Sequence, residues 1–375
     1  MLMNEQNLTA QELLSEGARL LEARQFEKAI APLDAAITHD PNYSDAWSCR
    51  GLVLGHLKRH TESIENFNRA LELNPKDRRA WFNRGLILAE LGKHLEAIQG
   101  FEQLLILYPY DYEAWDSKGN SLFELGRHTE ALNAYERAIE FNPSYYKAFT
   151  NRGNALINLK RFKAGIRSYD QAISIQPDDP AVWFNRGCGF MVSGEPLEAL
   201  KSFDKAIEVD ATYAPGWANR GHMLSQMGND VEALPCYDRA LKLQPNDTKT
   251  WYNRGITLRR LGKTKEAIDS YKKSVEVDPN NYEAWDNRGY ALTKLGKYQE
   301  AHQNIDRSLE IKPNHVNGMY NKGYCYACQG KTSLAVDWIA KAIAINPNKY
   351  LPAARTDPDL ETLRHNKRFQ KILKL

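Results

Sequence analysis

Cysteine is scarce: five in 375 residues (Cys49, Cys188, Cys236, Cys325 and Cys328), an odd and scattered set. This excludes a disulfide framework as the source of stability and fits a reducing compartment, so a cytoplasmic protein is expected. Charge of one sign is scarce too, since 50 basic and 47 acidic residues leave a net +3. No overall field draws the chain to nucleic acid or to an anionic membrane, and neither is expected as a partner. There is no apolar run long enough to span a bilayer, and Met1 to Gln11 lack a basic region followed by an apolar core, so neither membrane insertion nor a secretory leader is expected. Glycine-rich phosphate loops, nucleophile elbows and paired catalytic acids are missing as well. Cys325 and Cys328 have the spacing of a metal half-site, but without a second pair they read as structural thiols. His56, His60, His94, His128 and His222 show no metal spacing. An enzyme is therefore not expected, nor any cofactor or metal.

What the chain has in abundance is periodicity. Gly17, Gly51, Gly85, Gly119, Gly153, Gly187, Gly221, Gly255, Gly289 and Gly323 recur every 34 residues without a gap. Four residues before them stand Trp47, Trp81, Trp115, Trp183, Trp217, Trp251 and Trp285, with Leu13, Phe149 and Met319 as apolar exceptions. Units begin at Ala10, Ser44, Arg78, Tyr112, Tyr146, Pro180, Ala214, Thr248, Tyr282 and Val316, with no insertion that would house a second domain. Within each, apolar residues at three- and four-residue spacings form two blocks, the signature of two amphipathic helices. Turn glycines such as Gly92, Gly126 and Gly262 suit the left-handed end of a first helix. Prolines from Pro41 to Pro347 stop the second helices, with Ala211 alone departing. Asp77, Asp111, Asp179, Asp247 and Asn281 suit the caps of the helices that follow. The expectation is a short lead-in over 1–9, one all-α solenoid over 10–349, and a helical solvating cap over 350–375 in which Leu360, Leu363, Phe369, Ile372 and Leu373 form the apolar stripe. Pro235, inside a second helix, predicts a local bend.

A helix-turn-helix of this period, with tryptophan, glycine, alanine, aromatic and proline in that order, resembles the tetratricopeptide repeat family, in copies of a bacterial type rich in Asn-Arg-Gly. The resemblance implies a right-handed superhelix with first helices lining a concave groove, and a generic interaction role. The subtype that grips chaperone C-terminal carboxylates requires cations that are absent here. The matching positions hold Thr150, Asn154, Asn185, Pro215 and Asn219.

Two columns depart from an ordinary apolar pattern. Before the glycines stand Arg50, Arg84, Lys118, Arg152, Arg186, Arg220, Arg254, Arg288 and Lys322, and sixteen residues before each of these lie Asp34, Asn68, Glu102, Glu136, Asp170, Asp204, Asp238, Lys272 and Asp306. The first unit has Glu16 in the cationic column and the last has Ala340 in the acidic one, which predicts pairing between neighbouring units, Arg186 with Asp170 and Arg220 with Asp204. One residue before the cations stand Asn83, Asn151, Asn185, Asn219, Asn253, Asn287 and Asn321. On the same face lie Phe82, Phe184, Tyr252 and Tyr320 in one row and Asn120, Asn154, Tyr290 and Tyr324 in another. An amide offers a donor and an acceptor to a peptide main chain, and aromatics add apolar contact. The resemblance points the same way, because asparagines at this place in long arrays line the groove. The candidate site is thus Asn151, Asn185, Asn219, Asn253, Asn287, Asn321, Phe184, Tyr252, Tyr290, Tyr320 and Tyr324, binding an extended segment of a partner protein. The alternative is a scaffold that assembles with copies of itself.

Overall fold

The computed structural model describes residues 9–374, and every regular element among them is helical. The chain forms two compact units, Met1–Ser193 and Gly194–Leu375. The first contains five helical pairs, from Ala10–Glu22 with Phe26–His39 to Tyr146–Asn158 with Phe162–Ile175, followed by helix Pro180–Ser193. The second opens with helix Pro196–Val209 and continues through four pairs, the last being Val316–Cys328 with Thr332–Ile345. The first helices start at the residues that the repeat register marks, and local chemistry explains why. Asp77, Asp111, Asp247 and Asn281 each accept a hydrogen bond from a backbone N–H of the first turn, as does Asp179 from Ala181. Each pair turns on a residue with positive φ. Glycine fills that position at Gly92, Gly126 and Gly262, while Arg24, Lys58 and Lys160 adopt it against their steric preference.

The two helices of a pair meet at the repeat glycine. A Cβ placed on Gly255 would lie 2.5 Å from the Tyr271 ring, one on Gly119 2.5 Å from Tyr135, and one on Gly85 2.6 Å from Phe101. The aromatic of the second helix lies flat in the space a side chain would otherwise take, and Phe67, Phe101, Tyr135 and Tyr271 are at most 1% exposed as a result. The small residues Ala70, Ala138 and Ala172, fully buried, complete the contact. The tryptophans join consecutive pairs. The indole N–H of Trp47, Trp81, Trp115, Trp183, Trp217, Trp251 and Trp285 donates to the carbonyl six residues earlier, at 2.8–3.0 Å. That carbonyl belongs to the proline, or to Ala211, which ends the preceding second helix. Phe149 and Met319 stand at the same place in their repeats and have no indole N–H to donate.

The cationic column forms the inter-repeat ladder expected of it. Arg50–Asp34, Lys118–Glu102, Arg152–Glu136, Arg186–Asp170, Arg220–Asp204, Arg254–Asp238 and Lys322–Asp306 pair at 2.6–3.2 Å. The cations are largely buried and the acids about half exposed, so each pair contributes about 0 to 1 kcal/mol and acts mainly on register. The structure adds a second partner, sixteen residues after the arginine. Arg50 donates to Asn66, Arg152 to Ser168, Arg220 to the Cys236 sulfur and Arg254 to Ser270, at 2.7–3.1 Å. One guanidinium thereby joins the second helix of its own repeat to that of the repeat before.

Helix Asp230–Leu243 runs unbroken through Pro235, with the 14-residue length of the other second helices. The carbonyl that Pro235 cannot serve belongs to Val231, 72% exposed in the first turn, where water is an adequate partner. The helix is therefore not interrupted at Pro235. After Ile345 come helix Pro347–Thr356, a 3-10 segment Pro358–His365 and helix Lys367–Leu373. Leu360, Leu363 and Phe369 are buried against Tyr324, Ile339 and Ile343, while Ile372 and Leu373 are half-buried. Lys367, Arg368, Lys371 and Lys374 are exposed, and Arg364 is drawn partly inward to donate to the Asp357 carbonyl.

Replacing Gly255 by valine is expected to cost about 1 to 3 kcal/mol, measured by urea unfolding, because the added side chain displaces Tyr271. Lys160→Gly should raise stability by about 1 kcal/mol in the same assay, since Lys160 holds φ 59° at a pair turn.

Candidate functional site

The asparagine column lies on the first helices, and the state of each amide follows from what the preceding repeat offers it. In the unit Met1–Ser193, Asn151 donates its Nδ2 to the Asp116 carboxylate at 2.9 Å. Asn185 is half-buried and makes no hydrogen bond among the described residues. In the unit Gly194–Leu375, Asn321 is buried and donates to Asp286 at 2.9 Å. Asn287 donates to the Tyr252 hydroxyl at 3.3 Å and to the Glu283 carbonyl at 2.9 Å. Asn219 turns back to the Pro215 carbonyl at 3.0 Å, and Asn253 is half-buried with no hydrogen bond among the described residues. Wherever the residue 35 positions earlier carries an acceptor of sufficient reach, as Asp116, Tyr252 and Asp286 do, the amide is bound to it. Ahead of Asn253 that residue is Ala218, which has none. In all the bonded cases the Nδ2 donor is used, and the Oδ1 acceptor has no donor among the described residues.

Asp116 and Asp286 are absent from the sequence-based site, although they organise it. Asp286 is 0% exposed and accepts from His315 Nε2 at 3.1 Å, Asn317 at 2.7 Å and Asn321 at 2.9 Å. Asp116, also buried, accepts from Asn151 and, at 3.3 Å, from Asn120. Burial pushes the Asp116 carboxyl up, opposed by those amide donors. The signal was present in the sequence: in the row after the tryptophan an acid stands twice, at Asp116 and Asp286, each with an asparagine 35 residues later.

The aromatic rows divide. Phe184, Tyr252 and Tyr290 are half-buried, with Tyr252 tilted on Tyr271 at 6.1 Å and the Arg259 guanidinium 5.7 Å from the centre of the Tyr290 ring. Tyr320 and Tyr324, expected on an open groove wall, are instead 8% and 1% exposed. The terminal segment covers them: Tyr350 stacks on Tyr320 at 5.0 Å, and the Tyr324 hydroxyl donates to the Asp359 carboxylate. Asn120 and Asn154 also leave the groove reading, because their Oδ1 atoms accept from the hydroxyls of Tyr135 at 2.9 Å and Tyr169 at 2.7 Å. These are core hydrogen bonds of the helical pair.

Asn287, Tyr290, Tyr320, Asn321 and Tyr324 come together around a recess of about 640 Å³, which Arg259, Lys294 and Lys349 line with positive charge. Asp359 at its rim is paired with Lys294. Asn219, Asn253 and Tyr252 lie on the earlier first helices of the same unit, outside this recess. Among the described residues, no group of three or more His, Cys, Asp or Glu side chains is placed to hold a metal, and all five cysteines are free thiols. No described helix is long and apolar enough to cross a membrane.

Comparison with known proteins bears on the fold. Family models described as "Tetratricopeptide repeat" match residues 14–77, 59–112, 146–179, 214–247, 248–281, 270–303 and 287–350, and one described as "TPR repeat" matches 119–160. Among solved structures, the APC/C hetero-tetramer Cut9-Hcn1 is similar at 14% identity over 98% of this chain and 83% of that one, with a TM-score of 0.51. PilW, a type IV pilus biogenesis factor, is 18% identical over 54% of this chain and 94% of its own, with a TM-score of 0.50. YrrB, described as a TPR protein with an unusual peptide-binding site, is 24% identical over 51% of this chain and 98% of its own, with a TM-score of 0.44. At such identities the likeness is one of fold. No protein of curated function matches the chain in sequence.

Asn154→Leu should destabilise the protein by about 1 to 3 kcal/mol, because the buried Tyr169 hydroxyl loses its acceptor. Adding Tyr169→Phe should recover most of that loss, as read from the two urea midpoints.

Proposed function

Because the chain belongs to the tetratricopeptide repeat family, we propose that it is a non-enzymatic scaffold whose first-helix face holds an extended segment of a partner protein. The observation that carries this reading is the state of the amides. Asn253 has no hydrogen-bond partner among the described residues, and the Oδ1 acceptors of Asn219 and Asn287 are likewise without a donor. Polar groups in a fixed row match the alternating N–H and C=O groups of an extended main chain without reading its side chains. Tyr252 and Tyr290 beside them supply rigid apolar contact at low entropic cost. Asn151, Asn185 and Phe184 offer similar chemistry in the unit Met1–Ser193, with the Asn151 donor already committed to Asp116. Asn321, Tyr320 and Tyr324 contribute as the covered wall of the recess at the end of the row.

The test is affinity capture from the native cell, followed by calorimetry with the captured segment and two forms of the protein. Asn219→Ala, Asn253→Ala and Asn287→Ala combined should weaken binding by about 0.5 to 1.5 kcal/mol for each bond lost, with the melting temperature preserved. Equal affinity in wild type and variant would remove these residues from the site. Mass that grows with concentration when no partner is present would favour self-assembly instead.

A further inference from the structure

The cationic ladder has two rungs without an acid, at Arg84 and Arg288, and they are not alike. Arg288 keeps one of its two partners, donating to Asn304 at 3.1 Å. Arg84 has neither. Sixteen residues before it stands Asn68, exposed, and sixteen after it stands Gly100, which has no side chain to offer. The Arg84 Nε is buried and has no hydrogen-bond partner, and the side chain forms no ion pair among the described residues. A Cβ built on Gly100 would meet only the Arg84 Nη1, at 3.9 Å, so the place beside the guanidinium is open. Trp81 supports the group from below, its ring centre 5.9 Å from the Arg84 Cζ. Burial draws the Arg84 guanidinium below its ordinary value, and Glu96 is the acid that opposes this through space, while its own ion-pair contact is with Lys93 at 3.8 Å.

An unpaired, partly buried guanidinium is costly, and the other rungs show what satisfies it. The Nε of Arg50, Arg186, Arg220 and Arg254 each donates to an aspartate oxygen, at 2.6–2.8 Å. We propose that Arg84 is a docking point for a carboxylate side chain of a partner protein, received in the notch between helices His60–Leu73 and His94–Leu107. The carboxylate lies beside the guanidinium, with an Nη–H donating to one of its oxygens. This contact lies among the second helices, whereas the asparagine row lies on the first, so it is independent of the peptide groove.

The experiment is a titration of the full-length protein followed through the arginine Nε–H resonances by NMR. The probe is the capped tripeptide Ala-Glu-Ala, with Ala-Gln-Ala and inorganic phosphate as comparisons. Expected is a saturable shift of the Arg84 resonance with the glutamate peptide alone, while that of Arg254 stays in place. Asn68→Asp supplies the missing acid from within, and in that variant the Arg84 response should disappear as the thermal midpoint rises. The proposal is overturned by the absence of a shift, by equal shifts with the glutamine peptide, by a response to phosphate but not to glutamate, or by a response that survives in Asn68→Asp. An unchanged Arg254 resonance in that variant reports that the fold is intact.

Discussion

Close approach of two helices at a residue without a side chain is the constraint on which this structure rests. At Gly85, Gly119 and Gly255 the first helix comes so near the second that an aromatic ring occupies the space where a Cβ would project. Dispersion and burial both favour that arrangement, but a single pair cannot bury its apolar face alone. Stacking the next pair covers it, so the contact explains at once why the sequence repeats and why each repeat needs a neighbour. The tryptophan then ties the two levels together, since its ring packs beside the crossing and its N–H closes on the carbonyl ending the previous second helix.

Polar groups in the array work in three layers. The cations bridge second helices, holding an acid of the repeat before and a hydroxyl, thiol or amide of their own repeat. Asn120 and Asn154 lie closer to the crossing and accept from tyrosine hydroxyls that would otherwise be buried without a partner. The amides of the outer column donate to the previous repeat where it supplies an acceptor, as for Asn151, Asn287 and Asn321, and Asn219 turns back to a carbonyl of its own helix. Asn185 and Asn253 are the amides of this column that make no hydrogen bond among the described residues.

The segment after Ile345 makes both apolar and polar contacts with the last repeats. Leu360, Leu363 and Phe369 are buried with Tyr324, Ile339 and Ile343 of the last pair, while Asp359 reaches over to Lys294 and the Tyr324 hydroxyl. Two aromatics of the final first helix become core residues as a consequence. The last repeat is therefore chemically unlike those before it, although its sequence follows the same register.

Helix starts, turn glycines, caps and the seven ion pairs were legible in the sequence because each depends on spacing within one repeat or between adjacent ones, and a period of 34 residues makes such spacings recur along the chain. The second arginine partner was legible in principle, sixteen residues downstream, yet its chemistry changes from Asn66 to Ser168 to Cys236, so no single residue type marks the column. What only the tertiary structure decided is which of the repeated side chains face an open surface. Asn253 and Asn321 occupy equivalent positions, but one follows Ala218 and the other donates to buried Asp286. Periodicity assigns identical places to both, whereas exposure and hydrogen bonding are settled by non-repeating neighbours across the packed interface.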